Sequence, residues 1–117
     1  MDDSARGSAD WSAAVLVREC RIEPSQIARF LQLTAPAFDR CLREDRFTRD
    51  QRAKLLRLSA VLDRAQRVLG DRARAIGWLT SANRALSFSA PLGLIESKAG
   101  TQRVYGVLLR IEQGHFA

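Results

Sequence analysis

The sequence predicts an all-α fold, and three observations lead to that prediction. Apolar residues recur at i, i+3 and i+4 along most of the chain, which places them on one face of a helix. No segment keeps the strict alternation of β-branched residues that is typical of a strand. Hydroxyl, acidic and proline residues stand where helices would begin, and we expect about seven helices. The 117 residues, 46% of them hydrophobic, suit one compact domain or two small lobes that share a core.

The front of the chain begins with a polar tail and a first short helix. Residues 1–9 are small or charged and lack an apolar period, so we expect a flexible tail. Asp10 can N-cap a helix from Trp11 to about Glu19, because its carboxylate accepts hydrogen bonds from free backbone N–H groups. One side of this helix is expected to carry Trp11, Ala14, Val15 and Arg18.

Two further helices are predicted before the middle of the chain. Pro24 fits the first turn of a second helix, since its missing N–H has no helical partner there, and this helix is expected to end near Gln32. Thr34 is a good N-cap for a third helix, which has Pro36 in its first turn. The apolar residues of the third helix recur at helical spacing and are Phe38, Cys41 and Leu42.

The longest predicted helix runs from about Arg49 to Leu69. Thr48 and Gln51 have the form of a capping box, in which each side chain accepts a hydrogen bond from the other residue's backbone N–H. Gly70 is suited to the position after the helix because glycine takes a positive φ without strain. The buried stripe is expected to contain Leu55, Leu58, Leu62, Ala65 and Leu69.

The sequence pattern of the last part of the chain predicts three more helices. Asp71 can cap a helix that ends near Leu79, and Ser89 a short helix with a proline in its first turn. Gly100-Thr101 is expected to form a break before the final helix and to cap that helix, which stops near Gly114. That helix is lined by Val104, Val107, Leu108 and Ile111. We expect a flexible tail (1–9), a front lobe (10–47) and a back lobe (48–117).

Composition argues against an enzyme and against a metal site. The chain has two cysteines, Cys20 and Cys41, and one histidine, His115, which cannot assemble a four-ligand zinc site or readily build a nucleophilic relay. There is no phosphate-binding glycine loop. We therefore expect no catalytic residue, no metal and no cofactor.

The charge permits two kinds of partner. Nineteen basic against thirteen acidic residues give a net charge of +6, which suits nucleic acid or an acidic protein and distinguishes neither. Seventeen of the basic residues are arginines, which favour bidentate contacts to carboxylate or phosphate, although a GC-rich gene gives the same excess. No apolar run reaches the roughly 18 residues of a membrane helix, and the start is acidic and polar. We expect a cytoplasmic protein without a membrane partner.

Residues 24–43 match a helix-turn-helix pattern. Ala28 stands where the two helices cross, and Gln32 occupies the turn position that needs a positive φ and usually holds glycine. The candidate DNA-binding residues are Thr34, Arg40 and Arg43. Asp39 beside them would repel phosphate, so two interpretations stay open: a lobe that contacts DNA, and a folded lobe whose arginines are solvated.

The back lobe carries a set of short motifs in order. They are WLTSANRAL at 78–86, APLGLI at 90–95, Gly100, and RIEQG at 110–114. Together they resemble the toxin-binding domain of the Xre/MbcA/ParS antitoxins over roughly residues 50–117. Three departures are visible: Ala82 replaces a usual Pro, Ser87-Phe88 replaces a common Gly pair, and His115-Phe116-Ala117 is one form of a variable tail. The first two alter the stiffness of the loop that follows Asn83.

The resemblance implies a bacterial type II toxin–antitoxin system. The implied partner is a RES-domain toxin that consumes NAD, and the antitoxin covers its active site, with its C-terminal end at the NAD cleft. It implies a hetero-oligomer with the toxin, a homodimer as a further state, and operator DNA as a second partner of the front lobe. The candidate toxin-binding residues are Asn83, Arg84, Arg110, Gln113, Gly114, His115 and Phe116.

Plainer interpretations of these residues stay open. Trp78 and Leu79 suit a core better than a contact, and Asn83 suits a helix cap better than a toxin contact. Arg84 and Arg110 are either solvated or bound to the toxin. The alternative function is a helix-turn-helix transcriptional regulator without a toxin partner, in which the back lobe only dimerises.

Overall fold

The computed structural model describes residues 12–114 and confirms the all-α fold. Within that range, the chain forms seven α-helices and one short 3-10 turn, and its only β-type pairing is an isolated bridge between Asn83 and Ser89. The α-helices are α1 (Ala13–Cys20), α2 (Pro24–Phe30), α3 (Ala35–Glu44), α4 (Arg49–Leu69), α5 (Arg72–Leu79), α6 (Pro91–Leu94) and α7 (Lys98–Glu112), with the 3-10 turn (Arg84–Leu86) between α5 and α6.

The chain divides into two compact units, and the division lies inside α4, between Leu55 and Leu56. The front unit contains residues 12–55 of the described range and the back unit residues 56–114. Residues 1–11, which include the predicted tail and Asp10, lie outside the described range, as do residues 115–117. No helix among residues 12–114 is both long and apolar enough to cross a membrane.

The first helix begins later than the sequence predicts. Ser12 is its N-cap, and the Ser12 hydroxyl accepts from the backbone N–H of Val15. The predicted apolar side is right only in part: Ala14 is buried, whereas Val15 is 42% exposed and Arg18 is exposed. The buried residues of α1 are Ala13, Ala14, Val17 and Cys20.

The predicted turn between α2 and α3 is present. Gln32 has a φ of 61°, the left-handed conformation that the turn requires. The backbone N–H of Leu33 donates to the carbonyl of Ala28 at 2.8 Å, and that of Gln32 to Arg29 at 2.9 Å. This pair of bonds is a Schellman motif, which ends α2 at Phe30 rather than at Gln32. The front core contains Ile27, Ala28, Phe30, Leu31 and Phe38.

The long helix has the predicted bounds, and its capping box is formed. The backbone N–H of Thr48 donates to Gln51 Oε1 at 2.9 Å, and that of Gln51 to Thr48 Oγ1 at 3.1 Å. Gly70 follows with a φ of 111°. The buried positions of α4 are Leu55, Leu58, Val61, Leu62 and Ala65.

Two predicted helix starts in the back unit are wrong. The N-cap residue of α6 is Ala90 and not Ser89, whose carbonyl accepts from the Asn83 N–H. The last helix begins before Gly100: Ser97 is its N-cap and accepts from the Gly100 N–H at 3.0 Å. Thr101 does not cap but lies buried within the helix, where its hydroxyl donates to the Ser97 carbonyl at 2.7 Å. This helix packs against α6 and against the 3-10 turn.

Candidate partner-binding surface

The loop from Asn83 to Ser89 is the most tightly bonded irregular segment of the back unit. Asn83 Oδ1 accepts from the backbone N–H of Ala85 at 2.9 Å, and the Asn83 N–H donates to the carbonyl of Ser89 at 3.1 Å. The Phe88 N–H donates to the Asn83 carbonyl at 2.8 Å. Asn83 therefore caps the 3-10 turn, and its side-chain oxygen is already used within the fold.

Two consecutive residues of this loop have left-handed backbones. Ser87 has a φ of 58° and Phe88 a φ of 65°, a conformation that glycine adopts most easily. These are the positions where the resembled family commonly has a glycine pair. The Phe88 ring is 70% exposed, whereas Leu86 beneath it is buried. Sequence reasoning noted the pair as a departure and did not include Phe88 among the candidate residues.

The two candidate arginines of the back unit are free to meet a partner. Arg84 and Arg110 are exposed, and no carboxylate of residues 12–114 lies within ion-pair distance of either. Other arginines serve the fold: Arg57 donates to two backbone carbonyls, and Arg64 Nη2 lies 3.1 Å from Glu112 Oε1.

The chain changes direction at the end of α7. Gln113 is the C-cap of the helix, and its N–H donates to the carbonyl of Leu109. Gly114 has a φ of 85°, so the chain leaves the helical path there. Both residues are exposed. His115 and Phe116 lie outside the described residues.

The other residues in question have structural roles. Leu79 is fully buried, and Trp78 is half-buried. Cys20 is buried and Cys41 half-buried, and neither is in a disulfide. No group of three or more metal-ligating side chains occurs within residues 12–114.

The candidate DNA-binding residues lie on α3. Thr34 is its N-cap, and its hydroxyl accepts from the backbone N–H of Ala37 at 3.2 Å. Arg40 and Arg43 are exposed, three residues apart on the helix. Arg43 Nε already donates to Asp39 Oδ2 at 3.0 Å, so this arginine is partly engaged within its own helix.

Positive charge is concentrated in the back of the chain. Residues 1–55 contain ten basic and nine acidic side chains, and residues 56–117 contain nine basic and four acidic ones. The net charge is therefore +1 in the front and +5 in the back. Most of the excess positive charge therefore lies in the back of the chain, where it can attract an acidic protein or nucleic acid.

Comparison with known proteins matches part of the back unit to one family model. The family described as the Antitoxin Xre/MbcA/ParS C-terminal toxin-binding domain matches residues 64–114. This segment of the chain is similar to the toxin-binding domain of the Xre/MbcA/ParS antitoxins. The matched segment includes Asn83, Arg84, Phe88 and Arg110. It lies entirely C-terminal to the helix-turn-helix segment.

The chain is also similar to curated proteins named Antitoxin Xre. The chain is 29% identical to an Antitoxin Xre of Yersinia enterocolitica over 75 residues, which are 63% of this chain and 51% of the relative. It is also 29% identical to an Antitoxin Xre of Photorhabdus laumondii over 76 residues, which are 64% of this chain and 51% of the relative. The chain thus matches about half the length of these curated relatives.

The fold recurs in a solved structure. A chain of the crystal structure of the M. tuberculosis MbcT–MbcA toxin–antitoxin complex superposes with a TM-score of 0.69 at 20% sequence identity. The superposition covers 91% of this chain and 95% of that chain. The front segment therefore has the same fold as part of that protein, not only the back unit.

Proposed function

We propose that this chain is the antitoxin of a bacterial type II toxin–antitoxin system, which binds a RES-domain toxin and covers its NAD-consuming active site. The observation that carries the proposal is the match of residues 64–114 to a toxin-binding domain. The concentration of positive charge in the same part of the chain is compatible with an acidic partner. The toxin class follows from the family resemblance, and the chain itself supplies no chemistry.

The inhibitory segment is the C-terminal end, from Gln113 to Phe116. The buried residues Val104, Val107 and Leu108 hold α7 in the back unit, so the end of the helix has a fixed place. Gly114 turns the chain away from the helix, which allows the next residues to enter the toxin's cleft. Burial of one phenylalanine there contributes about 1.5–3 kcal/mol, roughly ten- to a hundredfold in affinity.

Two truncations test this function. The RES-domain protein encoded beside this chain is expressed with the full chain, with a chain that ends at Gln113, and with a chain that lacks residues 1–47. We expect the full chain to restore growth and retain the toxin in a pull-down, and the tail truncation to rescue poorly although it stays folded. The chain without residues 1–47 should keep most toxin binding. No neighbouring RES-domain gene, or no binding by the full chain, contradicts the proposal.

Operator binding by the front unit is a second candidate function. The observation in its favour is the left-handed turn at Gln32 between two helices of helix-turn-helix arrangement. Thr34 and Arg40 would contact phosphate or base edges, with Arg43 released from Asp39. A gel shift on the chain's own promoter, with and without the toxin, tests it. Arg40→Ala with Arg43→Ala should weaken a salt-dependent shift, and no shift at low salt contradicts this function.

If the chain is instead a regulator without a toxin partner, the back unit should not bind the neighbouring protein. In that case the chain shifts its promoter but does not retain the neighbouring protein. The pull-down and the gel shift, done on the same preparation, therefore separate the two functions.

A further inference from the structure

We propose that Phe88 is an aromatic anchor that the toxin buries in an apolar pocket with an acidic rim. The inference rests on the proposed antitoxin function and adds a residue to it. The core does not need a phenylalanine at position 88, because the residue is mostly exposed, and its backbone conformation favours glycine.

The backbone that carries Phe88 is fixed. The N–H groups of four consecutive residues, Leu86 to Ser89, donate to backbone carbonyls of the same loop at 2.8–3.2 Å. Leu86 is 1% exposed and holds the loop from below, and the 3-10 turn packs against α7. The backbone that carries the ring is already ordered, so no backbone ordering entropy is lost when a partner covers the ring.

The folded chain gains little from the ring itself. Phe88 is 70% exposed, so most of its apolar surface stays in water. Its φ of 65° brings the Cβ of a residue other than glycine close to its own backbone, and the strain is greater for bulky side chains. Strained backbone conformations cluster at functional sites, and aromatic residues, phenylalanine among them, are enriched in the cores of protein interfaces.

The surroundings of the ring indicate the chemistry of its partner. Arg84, in the same loop, is exposed and has no carboxylate within ion-pair distance in the described part of the chain. The net charge of residues 56–117 is +5. An apolar pocket bordered by carboxylates matches this combination, because the pocket takes the ring and the carboxylates pair with the arginine. The match to a toxin-binding domain includes both residues.

Two glycine variants of the full chain form a matched pair. Ser87→Gly and Phe88→Gly relieve the same kind of backbone strain at adjacent positions, but only the second removes the ring. Stability is measured by urea unfolding, and affinity by calorimetric titration with the RES-domain protein encoded beside the chain. We expect both variants to be at least as stable as the parent chain. Ser87→Gly should bind as the parent does, and Phe88→Gly about ten- to a hundredfold more weakly.

The outcomes separate this inference from the proposed function. If the parent chain binds the toxin and Phe88→Gly binds equally well, the anchor is wrong and the antitoxin function stands. A less stable Phe88→Gly also overturns the anchor, because the ring would then serve the fold. If sedimentation shows a parent dimer that Phe88→Gly dissociates, the ring's partner is a second copy of the chain. If the parent chain itself does not bind, both proposals fail.

Discussion

Gly100 lies against the backbone of Leu94 so closely that no side chain fits between them. A Cβ at position 100 would overlap the Leu94 carbonyl oxygen and lie 2.8 Å from its carbonyl carbon. The contact joins the first turn of α7 to the last residue of α6. Because the obstacle is backbone, it cannot be relieved by the rotation of a side chain.

Replacement of Gly100 by alanine should therefore destabilise the back unit. We expect Gly100→Ala to lower the free energy of unfolding by about 1–3 kcal/mol, the usual cost of overpacking. Gly106 is the matched control, since it lies in the same helix and its Cβ would meet nothing within 4 Å. Gly106→Ala should raise stability by about 0.5–1 kcal/mol through helix propensity. Urea unfolding checks both, and equal effects of the two changes would refute the Leu94 contact.

Gly100 also shows why one part of the fold could not be predicted from the sequence. A glycine marks either a break in a helix or a close approach of two backbones, and both need the same missing Cβ. The approach to Leu94 is a tertiary contact, so the local pattern suggested a break. The capping box at Thr48 and the left-handed turn at Gly70 were predicted correctly, because each depends only on neighbouring residues.

In the candidate site, too, the features that depend on neighbouring residues could be predicted, whereas a feature that depends on tertiary structure could not. The capping role of Asn83 and the turn at Gly114 could be derived from local sequence, and the structure has both. The exposure of Phe88 could not be derived from local sequence, because an aromatic residue usually lies in the core. Its exposure depends on Leu86, which occupies the inward position of the loop. The glycine pair of the resembled family was the one available signal.

Arg57 should stabilise the back unit through its two backbone acceptors. Its Nε donates to the Ile95 carbonyl at 3.1 Å and its Nη2 to the Glu96 carbonyl at 3.0 Å. Arg57→Met keeps most of the apolar stem but leaves partly buried carbonyls without these donors, so we expect a loss of about 1–3 kcal/mol. Arg67→Met, at an exposed position of the same helix, is the control and should change stability little. Similar losses in both variants would contradict the role of these bonds.

Asp45 should stabilise the front unit as a long-range cap. Its Oδ1 accepts from the backbone N–H of Ala14 at 3.3 Å, and its Oδ2 from the Ser12 hydroxyl at 3.1 Å. Its φ of 52° is also tolerated better by Asp or Asn than by Ala. We expect Asp45→Ala to cost about 1–2 kcal/mol by loss of the cap, and Asp45→Asn less.

Asp39→Ala is the control for the cap. Within residues 12–114, Asp39 pairs only with Arg43, on the surface of the same helix, and such exposed pairs contribute about 0.3–0.5 kcal/mol. Circular dichroism during urea unfolding compares the three variants. A cost at Asp45 no greater than that at Asp39 would show that the bonds to Ala14 and Ser12 do not stabilise the fold.

In the proposed complex, the arginines of the back unit should act mainly on the rate of association with the toxin. Arg84→Glu and Arg110→Glu each reverse an exposed charge that has no carboxylate within ion-pair distance among residues 12–114, so each should slow association with an acidic partner at low salt. The effect should fade near 1 M salt, where the screening length falls to about 3 Å. Arg29→Glu changes the net charge equally but lies in the front unit, at an exposed position of α2. Stopped-flow mixing with the RES-domain protein measures all three rates. Equal slowing by Arg29→Glu would attribute the effect to net charge alone, and no slowing by any variant would mean that the surface the toxin presents is not acidic.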